Sequence, residues 1–540
     1  GSQNSAEAAR ILVAVRAKVS GGSPASAPVL ARPPAPSPLA PTRAGNFTLS
    51  RRAVVLGSAA AVGGAGLLGA WQFGIFGSPA SAAISMVVLP FANETGDPDK
   101  KYFSDGLSRE LRSILARNPR LKVAAPTSSN AIEGEDDFAI GRKLGVGNIL
   151  RGSVQRDTAR VRVTTELVAI DGGLVLWAET FDRALEDVFA VQSEIAQTVA
   201  LSLVAQVAGD REAKAAVSVQ QEIGGTQSVA AYEAFLRGMA LYDLSAGEQT
   251  DRAALEQFDA AIAADPGFAA AHAMRSSMLA TIANDAASDG VQSRQLFKEA
   301  MAAAERSLAL EKRLARGHLA LGFVRNNGWL KRAEAIPHYR AAQELAPGDA
   351  DVLRAVASFL AYGKDPAQAS RMIDRVLALD PLNARAFRSA GYIAVFARDY
   401  SAVIDQMQKA LALNSSLAGA HFAIAIARLL QGDAAGALTA AKAEQGEAYA
   451  LTAEAIAAHR LGDAAGSDAA LAALSDRYGD SRYQQAEVHA QRGETDTALV
   501  LLNDALKALD PGLLWAPNDP LLDPLRGEPA FKDLLLRLGS

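Results

Sequence analysis

The strongest constraint on this chain is a repeat. Pro266, Lys312, Pro347, Pro381 and Ser415 each close a helical stretch, and they stand 46, 35, 34 and 34 residues apart. A pattern that returns at such a period marks units too small to bury their apolar faces alone, so copies must stack. The residue types agree with the spacing. Five residues before each closing position stand Ala261, Ser307, Ala342, Val376 and Ala410. Eight before stand Phe258, Ala304, Tyr339, Ile373 and Met407, and twelve before stand Ala254, Ala300, Ala335, Ala369 and Val403. Small residues let two helices approach closely, and the larger one fills the gap between them. The 46-residue interval holds a twelve-residue insertion near Asn284–Gln292. Later, Gln431-Gly432-Asp433, Leu461-Gly462-Asp463 and Arg492-Gly493-Glu494 recur only 30 and 31 residues apart, so the last repeats are degenerate. A Pro-rich stretch, 511–529, and Phe531–Leu538 read as a cap, and the pattern predicts seven or eight hairpins.

A period of 34 with these slots resembles the tetratricopeptide repeat, over about residues 229–540. The resemblance implies an all-α solenoid whose concave face, lined by the first helix of each hairpin, binds a protein or peptide. On that pattern the face presents Asn326, Asn327, Arg354, Arg388, Tyr392 and Phe422. Two arginines beside an aromatic suit an acidic or extended peptide, while the plainer reading makes all six ordinary solvated groups. The Lys/Asn carboxylate clamp of chaperone-type repeats is not evident. His272, His318 and His421 each stand six residues after a closing position. Successive hairpins would hold them roughly 10 Å apart, too far for ligands that must sit about 2 Å from one zinc ion. They are read as a repeated packing slot.

Composition narrows the chemistry. With no cysteine there is no disulfide, thiolate metal site or cysteine nucleophile. No metal spacing, phosphate loop or nucleophile elbow appears, so neither an enzyme nor a cofactor site is expected within the chain. The net charge of -5 hides an asymmetry: residues 1–82 carry seven basic residues and only Glu7 as an acid. The remainder is acidic and lacks the clustered Lys and Arg of a nucleic-acid-binding face.

That basic N-terminal part has three sections. Residues 1–20 read as a short amphipathic helix, the tail of an upstream output domain. Residues 21–50 form a Pro/Ala-rich linker, with seven prolines between Pro24 and Pro41. Residues 53–76 are uncharged, long enough to cross about 30 Å of hydrocarbon at about 1.5 Å per residue. Trp71, Phe73 and Phe76 lie toward the far end, where aromatic rings favour the interface. Arg43, Arg51 and Arg52 precede the segment and no basic residue follows before Lys100. The expectation is a single inner-membrane helix with a cytoplasmic N-terminus and a periplasmic remainder. Two alternatives stand beside it: a buried soluble helix, or a twin-arginine export signal (TLSRRAVVLGSAAA) cleaved near Ser78–Ala82.

Between these parts, residues 84–206 predict an α/β domain. Ser85–Phe91, Leu121–Ala125, Asn148–Gln155, Arg160–Ile170 and Leu174–Phe181 read as strands, with Asp171-Gly172-Gly173 as a hairpin turn. Helices are expected near Phe103–Leu115, Phe138–Leu144 and Leu185–Val207. The series VVLPFANETGD, YFSDGLSRELRSIL, LGVGNILRGSVQRDTARVRVTTELVAIDGGLVLWAETFDR and VFAVQSEIAQTVA resembles the TolB-like N-terminal domain of bacterial signalling proteins. The resemblance implies a membrane-anchored sensory region that binds a protein or peptide, or forms homo-oligomers, and reports to an upstream winged-helix, nucleotide-cyclase or TIR domain. Within the domain, Asn93, Asp97, Asp105, Arg156 and Asp182 are the residues to weigh for catalysis. Their settings favour turns and ion pairs.

Overall fold

A computed structural model describes residues 84–118, 120–132, 134–208, 225–244, 248–285, 290–363 and 366–539. The expected helix, linker and membrane segment of residues 1–76 lie outside the described residues. Among those described, no helix is long and apolar enough to cross a membrane.

The chain from residue 84 opens with a mixed sheet. Strand β1 (Ile84–Val88) pairs in parallel with β3 (Leu121–Val123) on one side and β4 (Asn148–Arg156) on the other. A strand so flanked is covered on both faces, which is why Met86, Val87 and Val88 form an unbroken apolar run. Antiparallel strands β5 (Arg160–Ala169) and β6 (Leu174–Ala184) complete the order β3-β1-β4-β5-β6. Gly172 and Gly173, at φ 81° and 63°, make the turn between them. A two-residue strand, β2 (Ala92–Asn93), pairs with the end of β4. It is too short to leave a periodic signal, so five strands are expected and six are present among the described residues.

Helices α1 (Lys101–Ala116) and α4 (Val188–Ala208) cover one face, around Met86, Leu107, Leu111, Val163, Val191 and Ile195. The short α2 (Pro126–Ala131) follows β3, and α3 (Asp137–Leu144) covers the other face around Val87, Ile140 and Ile149.

Eight helical hairpins follow: α5 (Val229–Leu244) with α6 (Glu248–Ala264), α7 (Ala269–Asp285) with α8 (Gly290–Leu310), α9 (Ala315–Phe323) with α10 (Arg332–Leu345), and α11 (Ala350–Ala361) with α12 (Pro366–Leu379). Then come α13 (Ala384–Phe396) with α14 (Tyr400–Leu413), α15 (Ala420–Leu430) with α16 (Ala434–Ala443), α17 (Glu447–Arg460) with α18 (Ala464–Arg477), and α19 (Arg482–Gln491) with α20 (Thr495–Ala508). All fifteen slot residues named from the repeat are buried. The insertion is absorbed by lengthening α7 to 17 and α8 to 21 residues. Gly432, Gly462 and Gly493 all take left-handed φ near 80°, and Asp433 and Asp463 cap the next helix through the Gly436 and Gly466 amides. The degenerate repeats thus keep the hairpin turn, with α15, α16 and α19 shortened to 11, 10 and 10 residues.

The sheet and the solenoid share one apolar core, from Met86 through Phe103 to Tyr232, Phe235 and Phe258. Helix α1 lies between them. Its polar residues Ser104, Ser108, Arg109 and Arg112 are buried along with its leucines. Arg112 donates to Val88 O (2.8 Å) and Asn130 Oδ1 (3.1 Å), while Arg109 pairs with Asp243 of α5. Further along, Ala125 N donates to Leu379 O (3.0 Å), and Asp380 Oδ1 accepts from both Ser128 N (3.0 Å) and Ser128 Oγ (2.6 Å).

Residues 511–537 fold back as a cap: two short 3-10 segments and α21 (Pro529–Arg537). Asn518 Nδ2 donates to the Ala361 and Gly363 carbonyls (2.8 and 2.6 Å), and Arg398 grips Asp523 with two bonds of 2.6 and 2.8 Å. Beneath the cap, Glu487 of α19 is 1% exposed and Asp519 is 2% exposed. Burial, then the neighbouring Asp519 charge, holds the Glu487 carboxyl well above its ordinary value. Burial also raises Asp519, against hydrogen bonds from Glu487, Tyr483 Oη (2.6 Å) and Leu521 N (2.8 Å). Two adjacent buried carboxyls cannot both ionise, so Glu487 keeps its proton.

Two outcomes are expected. A Cβ on Gly348 would lie 2.4 Å from Ala116 O, at the seam between α1 and the solenoid. Gly348→Ala is therefore expected to cost about 1–3 kcal/mol in chemical denaturation, whereas Gly527→Ala, with no atom within 4 Å of its Cβ, has little effect. The proton on folded Glu487 makes its contribution fully present below the ordinary value of 4.5 and lost as pH rises through the folded-state value. Glu487→Gln should therefore gain on the wild type as pH rises above 4.5, by up to about 1.4 kcal/mol per pH unit. An equal difference between the two proteins at acidic and neutral pH would sink this assignment.

Candidate functional site

The first helices of successive hairpins pack on one another, and the third, fourth and fifth carry a charged line. Four residues after each closing position stand Arg316, Asp351 and Arg385; seven after stand Leu319, Arg354 and Arg388. One helical turn separates the two rows, so they share a face. Asp351 sits among the arginines. Burial pushes its carboxyl up, but the charges of Arg354, Arg316, Arg109 and Arg385 outweigh that and hold it below the usual carboxylate range. Arg354 Nη2 is 3.9 Å from Asp351 Oδ1, and Arg354 Nε is buried without a hydrogen-bond partner. Burial pulls the Arg388 guanidinium down and the nearby Arg385 and Arg354 charges add to it, while Tyr392 and Tyr449 oppose.

The line continues into aromatic groups. Tyr392 Oη donates to Gly419 O (2.8 Å) and Arg388 Nη1 to Ala418 O (3.0 Å), tying α13 to the turn before α15. The Tyr392 ring lies 5.1 Å from Trp515 of the cap, and Phe396 lies 5.8 Å from the same indole. Glu444 caps α15 from below, accepting from Gly419 N (2.8 Å) and Phe422 N (2.9 Å).

Of the six residues expected on this face, Arg354, Arg388 and Tyr392 come together. Phe422 does not reach the surface: it is 1% exposed and stacks on Tyr449 at 4.9 Å. Its position turns inward because α15 is apolar nearly all round. Asn326 is also 1% exposed, its amide bonded to Asn327 Oδ1 (3.2 Å), because α9 ends in a π-turn, Val324–Gly328, that rotates both residues out of the repeat register. Asp351, Arg316 and Arg385 were missed, although the same spacing that located Arg354 and Arg388 could have found them. Arg109 had no sequence signal, since α1 reaches the cluster only through tertiary packing.

The other residues considered from sequence have structural partners. Asn93 Oδ1 accepts from Thr95 N (3.2 Å), and Asp97 Oδ1 from Asp99 N (3.0 Å). Lys101 bonds Asp105 (2.7 Å), Arg156 pairs with Glu233, and Asp182 receives Arg160 (2.7 Å) and Arg162 (2.6 Å). His272 Nε2 and His318 Nε2 each bond the carbonyl six residues earlier, Pro266 O (3.1 Å) and Lys312 O (2.9 Å). Among the described residues, no three His, Cys, Asp or Glu side chains are grouped to hold a metal ion.

Asp351 supplies the cluster's counter-charge. Its depressed folded-state value makes its stabilisation present above the ordinary 3.8 and lost as pH falls through the folded value. Asp351→Asn is expected to cost about 1–2 kcal/mol at neutral pH. The gap to wild type should close below pH 3.8 and shrink in high salt. Thermal unfolding across pH and ionic strength checks this; a salt-independent gap would contradict it.

No family model matches the chain. Over 262 residues it is 32% identical to "Putative adenylate cyclase 3" of Rhizobium meliloti (strain 1021), an overlap of 47% of this chain and 42% of that one. The chain thus spans less than half the length of this relative. Among solved structures, PilF of Pseudomonas aeruginosa overlaps 39% of this chain and 97% of its own at 20% identity and a TM-score of 0.30. Human IFIT1, solved as a dimer with PPP-AAAA, overlaps 59% and 83% at 12% identity and a TM-score of 0.38. The hairpins of this chain, with their buried small and large slots, make its C-terminal part a tetratricopeptide-type solenoid.

Proposed function

We propose that this chain is the binding and scaffolding arm of a single-pass bacterial inner-membrane signalling protein. Residues 53–76 are its anchor, and the α/β domain, which resembles TolB-like domains, lies with the solenoid on the periplasmic side. The work of the chain is recognition, not catalysis. The observation that carries the reading is the line of Arg354, Arg385 and Arg388 beside Tyr392. Guanidinium groups beside an aromatic ring suit an acidic, extended protein segment, with main-chain contacts for affinity and the arginines for selection. The uncharged run at 53–76 and the arginines before it support the topology.

A second reading has one observation in its favour. The overlap with a relative whose name includes adenylate cyclase suits a receptor region whose catalytic partner, a nucleotide cyclase or a TIR domain, lies upstream. The upstream reading frame separates the two: a winged-helix region favours a transcriptional output, a cyclase or TIR signature an enzymatic one. An exported soluble scaffold is the further alternative, and an uncleaved product that needs detergent for extraction rejects it.

Binding is tested with the full chain in detergent against an array of extended peptides of graded acidity. Acidic peptides should bind, and Arg354→Glu with Arg385→Glu should weaken them by about tenfold or more, as expected when charge-assisted bonds become repulsions. If no peptide binds, or acidic peptides bind the variant as well as the wild type, the concave-face reading fails.

A further inference from the structure

Strand β6 ends the sheet. It is 11 residues long, and among the described residues no strand pairs with its outer side. Edge strands are usually guarded by shortness, bulges or charge, and above all by proline or lysine. This one has neither residue, and Leu174 and Val175 are 64% and 54% exposed. Against β5, Leu167 faces Trp177 while Val168 faces Val175, so Leu176 is an extra residue. The regular run available for pairing is therefore Trp177–Ala184.

The charges on that run are self-complementary. Asp182 is already taken by Arg160 and Arg162 of β5. Glu179 and Arg183 lie four apart on the same face, opposite Thr165 and Val161. Both are exposed, and neither makes an ion pair among the described residues. In an antiparallel pair, residues directly opposite share a face, so a two-fold axis must pass through a residue. An axis at Glu179 sets that carboxylate against itself, which is unfavourable. An axis at Thr180 sets Glu179 opposite Phe181 and leaves its charge unmet. An axis at Phe181 sets Glu179 opposite Arg183 twice, with Thr180 opposite Asp182 and Ala178 opposite Ala184.

We infer that β6 pairs antiparallel with β6 of a second copy of this chain about a two-fold axis at Phe181, joining two sheets into one. The interface is isologous, and each copy supplies Glu179 to one ion pair and Arg183 to the other. Main-chain bonds along the edge provide affinity and the Glu179–Arg183 pairs set the register. This surface is on the α/β domain, so its assignment is independent of the solenoid's ligand.

The test uses the full chain in mild detergent, with its mass measured by light scattering across a dilution series. The wild type should be a dimer. Glu179→Arg and Arg183→Glu should each weaken dimerisation by about tenfold or more, because two cross-strand attractions become repulsions. The two changes combined should restore it, since the swapped charges again face each other. The chain has no cysteine, so Ala178→Cys with Ala184→Cys should join two copies through a short bismaleimide, while either change alone should not. A monomer at all concentrations, a dimer indifferent to the single charge reversals, or a double-cysteine dimer that does not cross-link would each overturn the pairing.

Discussion

Helix α1 is buried on both sides, and the rest of the molecule is organised around that. Its leucines pack into the sheet, while Gly106 sits against Leu236 of α5 so closely that a Cβ would lie 2.4 Å from the leucine methyl. A helix with one apolar stripe normally turns its polar side to water. Here the polar side meets the solenoid, so its charged groups need partners, and Asp243, Val88 O and Asn130 provide them. A buried arginine left alone would cost several kcal/mol. Of these contacts, the Arg109–Asp243 pair crosses from the α/β domain to the hairpins.

The same seam shapes the candidate site. Arg109 of α1 adds its charge to the cluster around Asp351, so the solenoid's inner face is completed by the α/β domain. At the other end the cap presses Trp515 against Tyr392 and Phe396, and Asn518 and Asp523 tie it to the ends of α11 and α13. The face is therefore a charged end passing into an aromatic end roofed by the chain's own C-terminus.

The repeat was legible because helix packing favours small residues in two slots and mostly larger ones in a third, and five repeats carry that demand. Most strands and helices of the α/β domain were legible for the same kind of reason: parallel burial needs continuous apolar runs, and a hairpin needs its two glycines. What failed was local. The two-residue β2 is held by β4, not by its own pattern. Asn326 left the expected face because of a π-turn, a shift of one residue that the period does not encode. Phe422 turned inward because a helix apolar nearly all round leaves its facing to its neighbours.

The sequence alone therefore determined the hairpin period, the slot residues, the strand pattern and the charge contrast between the N-terminal segment and the rest. These depend on neighbours near in the chain, where spacing and residue size decide the outcome. Only the tertiary structure decided which polar groups meet: Arg109 with Asp243, Asp380 with Ser128, Glu487 with Asp519, and Asp351 with Arg109, Arg316 and Arg385 of three other helices. Those contacts join residues far apart in sequence, and each exists because burial leaves a charge or donor that must be matched by whatever the fold brings beside it.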